Sequence, residues 1–130
     1  MHPPLLTEQI RQELAEVGDQ SLPHETGGIL LPEPFNGRWV IPIPNRAESP
    51  VDRFEFDTVD MREALFDWLC SEPAEELTEN LTIWHTHPAG GVGPSRLDMQ
   101  QRVLRPGTRE PMVHHLVMTR TQQGWIPAWY

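Results

Sequence analysis

Lysine is absent from this chain of 130 residues, so its basic side chains are ten arginines, set against 19 aspartates and glutamates for a formal net charge of −9. A coding bias toward arginine accounts for this; its chemical consequence is that the chain offers no side-chain amine to a protein-conjugation system. There is no basic block either. A pI near 5.0 is the wrong electrostatic footprint for gripping phosphate backbones, which excludes a nucleic-acid partner. Cys70 is the only cysteine, so no internal disulfide can form and a reducing cytoplasm is the expected location. No apolar run approaches the ~20 residues that cross a bilayer. Met1-His2-Pro3-Pro4 carries neither the basic region nor the apolar core of a signal peptide, so no membrane partner is expected. Apolar residues supply 38% of the chain, below the roughly 45–50% of typical globular chains, a figure that includes glycine. No repeat, low-complexity tract or linker divides the sequence, and its length suits one domain over residues 1–130.

What is present begins with 14 prolines, about twice the usual share, which predicts short elements and many turns. Leu6, Ile10, Leu14 and Val17 recur at helical spacing, with Thr7 as N-cap and Gly18 as a stop. Gly28-Ile29-Leu30-Leu31 reads as a strand ending at Pro32. Residues 38–43 form its hairpin partner through Asn36-Gly37, with Pro42 marking an edge. Phe54-Glu55-Phe56 alternates as a brief strand. Met61, Leu65, Trp68 and Leu69 then give a helix that starts near Asp57 or Thr58 and ends before Pro73. The alternation from Leu81 to His87 predicts a strand, Ser95 to Leu104 a third helix, and residues 114–119 and 124–129 a last pair of strands. Such irregular alternation predicts an α/β or α+β chain: a mixed β-sheet flanked by helices, packed as a sandwich.

The chemistry concentrates downstream of residue 84. Strand side chains alternate between faces, so His85 and His87 share one face and their imidazoles can converge on one ion. Two histidines, a carboxylate and an open position are how catalytic zinc is commonly held, and Asp98 is the nearby candidate carboxylate. Ser95-Arg-Leu-Asp98 also fits a capping box. The two readings are compatible, because a helix start fixes the carboxylate beside the strand end, and Ser95 could then donate to a developing oxyanion. Pro88 to Pro94 is a glycine-rich loop without phosphate-cradle spacing. Glu25 precedes Gly27-Gly28. Alone it is an ordinary exposed glutamate; beside a zinc-activated water, whose pKa falls to about 7, it could act as general base.

Glu25 with Gly27-Gly28-Ile29-Leu30, then His85-x-His87, seven residues, Ser95, two residues and Asp98, resembles the JAMM (MPN-plus, JAB-domain) zinc metalloprotease signature at all five positions. Residues 45–50 and 53–57 also resemble the connecting segment of its minimal prokaryotic and phage members. The resemblance implies a curved mixed sheet flanked by helices, a cytidine-deaminase-like sandwich. It further implies one Zn2+ per chain held by His85, His87 and Asp98, with Glu25 moving the proton and Ser95 stabilising the oxyanion. The substrate it implies is the isopeptide or peptide bond after the Gly-Gly tail of a ubiquitin-like or sulfur-carrier-like protein, bound by strand addition. Only about a dozen residues separate the Asp98 helix from the strand at His114; that leaves little room for the second insertion of eukaryotic deubiquitinating members.

Three other readings stand beside it. One is a catalytically silent interaction scaffold of the same fold. A second is a RadC-like protein, which shares His-x-His-Pro and Pro-Ser-x-x-Asp, although the acidic charge and Glu25-Thr26-Gly27-Gly28 argue against it. The third is a phage peptidase that trims a tail-assembly protein. Oligomeric state stays open. Trp68 and Trp84 read as core and Cys70 as partly buried; His114 and His115 read as structural, and His24 as a neighbour of the cleft only by sequence. The segment from Trp125 to Tyr130 reads as a final core strand or a docking patch.

Overall fold

The computed structural model describes residues 3–89 and 91–130. The elements run α1 (Glu8–Ser21), β1 (Gly27–Phe35), β2 (Arg38–Ile43), α2 (Thr58–Cys70), α3 (Glu75–Thr78), β3 (Thr82–His87), α4 (Arg96–Gln100), β4 (His114–Thr121) and β5 (Gly124–Trp129). The five strands form one sheet in the order β2-β1-β3-β4-β5. Only β3 and β4 pair in parallel; the other neighbours are antiparallel. This is the mixed α+β architecture that the residue pattern predicts.

Helix α1 covers one face of the sheet, and α2 with the short α3 packs on the other. Ile10, Leu14 and Val17 of α1 pack on Leu30, Val40, Trp84, Leu116 and Met118. Leu65 and Trp68 of α2 pack on the other face, against Ile29, Leu31, Ile43 and Ile83. Period-two alternation sorts these sets: Trp84 points toward α1 while Ile83, and with it His85 and His87, points to the α2 side. Trp84 is fully buried, as expected of a residue opposite the histidines.

Local signals explain most element ends. Thr7 caps α1 by accepting from the Ile10 amide at 3.3 Å, and Asp57 caps α2 by accepting from the Val59 amide. Asn36 and Gly37 have φ of 52° and 76°, the left-handed pair a tight hairpin turn requires. Pro42 sits in β2, an edge strand that can spare its N–H. On that edge the buried Glu13 of α1 reaches over to accept from the amides of Trp39 and Val40 and from Arg38 Nε at 3.1–3.3 Å. The carboxylate thus satisfies strand donors that would otherwise seek another chain.

Several expectations need correction. Gly18 does not stop α1, which runs on to Ser21. It is an interior helix residue because the Trp125 ring lies where a Cβ would be, 2.8 Å away, and the helix ends instead at Leu22, before Pro23. Strand β1 continues through Pro32 to Phe35 across an irregularity in its pairing with β2. Phe54-Glu55-Phe56 is extended but joins no sheet, since its inward hydrogen bonds go to Asn45 and Arg46. The third helix ends at Gln100 rather than Leu104: Val103 donates its amide to His115 Nε2, and Arg105, constrained by Pro106, pairs with Glu110. Leu69 and Cys70 are exposed. The single turn α3 had no sequence signal.

Glu13→Ala should destabilise the protein by about 1–3 kcal/mol, because it leaves two strand amides without their acceptor in a poorly solvated position. The midpoint of urea unfolding measures this; a shift within experimental error would mean that water replaces the carboxylate at no cost.

Candidate metal-binding and hydrolytic site

The end of β3 delivers two imidazoles to one point. His85 and His87 lie on the same face, and their Nε2 atoms are 3.2 Å apart. The start of α4 brings a carboxylate to the same place. Ser95 Oγ accepts from the Asp98 amide at 3.1 Å and the Ser95 amide donates to Asp98 Oδ2 at 2.7 Å, the capping box expected from the sequence. Held this way, Asp98 sets Oδ1 3.2 Å from His85 Nε2 and Oδ2 3.1 Å from His87 Nε2.

These separations test the fit of a cation. Zinc bonds to nitrogen and oxygen are roughly 2.0–2.2 Å, so the ligand atoms of a tetrahedral site stand about 3.3–3.5 Å apart. The two imidazole nitrogens stand 3.2 Å apart and each faces its own oxygen of Asp98 at 3.1–3.2 Å, within a few tenths of an ångström of that spacing. Glu25 completes the group: it is 7% exposed, and a carboxylate oxygen lies within 4.8 Å of the ring nitrogens of both histidines. Glu25, His85 and His87 could hold a metal, and Asp98 touches both histidines, so the donor chemistry suits a divalent ion.

The electrostatics match this arrangement. Burial pushes the Glu25 carboxyl up to about 7; the carboxylates of Asp98 and Asp52 add to the rise and His87 opposes it. Burial alone would also raise Asp98. Hydrogen bonds from His85 and His87, the charge of His85 and the Ser95 amide outweigh that and hold it well below the usual carboxylate range. The Asp98 hydrogen bond raises His87 above its ordinary value. Burial lowers His115 to about 4, keeping it neutral.

Glu25 is positioned through its backbone. Its amide donates to Pro50 O at 2.7 Å, and its carbonyl accepts from Asn45 Nδ2 at 3.0 Å. The same Asn45 donates to Arg53 O at 3.0 Å and accepts from the amides of Ala47 and Glu55 at 3.0 and 3.2 Å. Gly27 begins β1 opposite His85, and a Cβ there would stand 2.6 Å from the Phe54 ring. Glycine therefore lets Phe54 lie parallel to the His85 imidazole, with ring centroids 6.4 Å apart.

Two depressions meet at Asp98. One, of about 380 Å³, is lined by Phe54, Phe56, Val103, His115 and Tyr130 beside His85. The other, of about 310 Å³, runs from Glu25 and His87 past Val92 to Ser95. Ser95 is exposed there, and its hydroxyl proton has no acceptor among the described residues. All five residues singled out from the sequence thus stand around one center. His24 is exposed and lines neither depression. His114 pairs with Asn80 at 2.8 Å and His115 accepts from Val103, structural partners rather than a second metal group. Sequence reasoning missed Tyr130, whose hydroxyl is 3.3 Å from His85 Nδ1, and the role of Asn45. For Tyr130 the usable signal was the period of β5, which puts residue 130 on the face opposite to that of Trp129.

Residues 7–129 match the family described as prokaryotic homologs of the JAB domain. The solution structure of a protein from Desulfitobacterium hafniense has a similar fold, with a TM-score of 0.62 at 23% identity over 95% of this chain and 78% of that one. No protein of curated function matches the sequence.

Glu25 binds its proton more tightly in the folded protein than in the unfolded chain. Its contribution therefore favours folding fully below its ordinary pKa of 4.5 and is lost as the pH rises through the folded value of about 7. Glu25→Gln should accordingly raise the thermal midpoint of the metal-free protein above pH about 7 and leave it nearly unchanged below 4.5. An equal shift at both ends of that window would show that the carboxyl is not held in this poorly solvated position.

Proposed function

The chain belongs to the family of prokaryotic homologues of the JAB domain, and from that premise we propose that it is a zinc-dependent metallo-(iso)peptidase. Its substrate on this reading is the amide bond after the Gly-Gly tail of a ubiquitin-like or sulfur-carrier-like protein. The observation that carries the reading is the mutual approach of His85, His87 and Asp98 to 3.1–3.2 Å, with the Glu25 carboxylate beside them.

His85, His87 and Asp98 would hold the ion. Bound there, zinc would supply Lewis-acid activation, lowering the pKa of water toward about 7 and polarising the scissile carbonyl. Glu25, within 4.8 Å of both histidines, would take the proton of the attacking water and later pass it to the leaving amine. Ser95, whose oxygen already accepts the cap bond, keeps its proton for the developing oxyanion.

The extended segment at Phe54 supports strand addition. Arg53 O, Glu55 N and Glu55 O are bonded inward to Asn45 and Arg46. Among the described residues the backbone groups of Phe54 and Phe56, which alternate to the other side, have no partner. They offer an open edge beside His85 and Asp98 on which an extended tail can form main-chain hydrogen bonds.

The family also includes inactive members, so the discriminating measurement is metal content together with turnover. Purified protein should carry about one zinc per chain and cleave fusions after a terminal Gly-Gly, and a chelator should abolish the cleavage. Glu25→Gln should keep the metal and lose roughly 10²- to 10⁴-fold in rate; Ser95→Ala should lose roughly 10²- to 10³-fold. Zinc binding without hydrolysis of any Gly-Gly fusion would favour the scaffold, or a peptidase with another protein substrate, over this reading.

A further inference from the structure

The register of β5 brings one more side chain to the metal-binding group. Trp129 pairs with Leu116, on the face that α1 covers, and the Tyr130 amide donates to His115 O at 3.0 Å. By alternation the Tyr130 side chain falls on the face that bears His85. Its ring lies 5.4 Å from that of His115 and 6.1 Å from that of His85, nearly perpendicular to the latter at 89°. The hydroxyl is 3.3 Å from His85 Nδ1, an atom with no other partner among the described residues.

We propose that Tyr130 is a positioning residue for the metal centre, its hydroxyl holding the Nδ1 edge of His85 so that Nε2 faces the ion. The inference rests on the reading of His85 as a ligand. An imidazole that coordinates through Nε2 must carry its proton on Nδ1, and that N–H needs an acceptor because His85 is 5% exposed. A phenol hydroxyl meets the need and also serves the metal-free protein. There Nε2–H faces Asp98 Oδ1, and the rotated hydroxyl donates to Nδ1. One rotor therefore satisfies both tautomers without moving the ring.

Tyr130→Phe removes one oxygen and keeps the ring. Zinc affinity, measured by competition with a chromophoric chelator, should fall roughly 10- to 100-fold, while the circular dichroism of the metal-free protein stays near wild type. In long-range 1H–15N spectra of the zinc-loaded wild type, His85 should carry its proton on Nδ1 and exchange it slowly; the Phe variant should exchange it faster. Unchanged zinc affinity and unchanged exchange would overturn the proposal. So would a wild-type spectrum with the His85 proton on Nε2, which decides the matter even if the variant fails to fold. Wild-type protein that binds no zinc would refute the site reading itself, and that result appears before any variant is made.

Discussion

The carboxylate of Asp98 is asked to do three things at once. It accepts the Ser95 amide that begins α4 and faces both His85 and His87. Remove it and the short helix loses its cap, and the two imidazoles lose the anion that draws them together. The metal-free protein holds these parts together by hydrogen bonds, with His87 drawn toward its protonated form. A divalent cation would replace that proton and also relieve the repulsion between Asp98 and Glu25, which share the same small volume in a chain of net charge −9. The electrostatic balance of the group favours a cation.

Core and chemistry divide β3 between them. Trp84 and Thr86 are buried on the α1 face, while His85 and His87 occupy the other. Register is therefore specified twice: a slip of one residue would put an indole beside Asp98 and Glu25 and imidazoles into the α1 core. The same economy holds at the start of β1, where Gly27 stands beside Phe54 and a Gly28 Cβ would meet Ile41 O at 2.1 Å. Side chains at either place would displace the strand that carries Glu25 to the site.

Features with a local physical cause were legible in the sequence. The Asn36-Gly37 turn, the Asp57 and Ser95 caps, and the alternation of His85 and His87 each depend on residues within a few positions of one another. The misreadings share an opposite origin. Gly18 looks like a stop until Trp125, more than a hundred residues away, is seen to need the space. Phe54-Glu55-Phe56 has strand alternation, but Asn45, rather than a neighbouring strand, satisfies its backbone. The helix after Ser95 is cut short because the Val103 amide is claimed by His115. In each case a tertiary partner overrode a sound local preference, and no periodicity within the segment records such a partner. The five candidate site residues were legible through their resemblance to a family signature, and the structure brings them to the same two adjoining depressions.

Asn45 shows how far such a partner can extend. Its amide nitrogen holds the backbone of Glu25 and of Arg53, and its carbonyl oxygen holds Ala47 and Glu55. One half-buried side chain thus ties the backbone of Glu25 to that of residues 53 and 55. If an extended chain pairs with Phe54 and Phe56, its seating is therefore referenced to the same side chain that holds the Glu25 backbone, over two hydrogen bonds of 3.0 Å. Preorganisation of this kind separates a cleft that merely gathers ligands from one in which the bound chain and the proton acceptor are held in fixed relation.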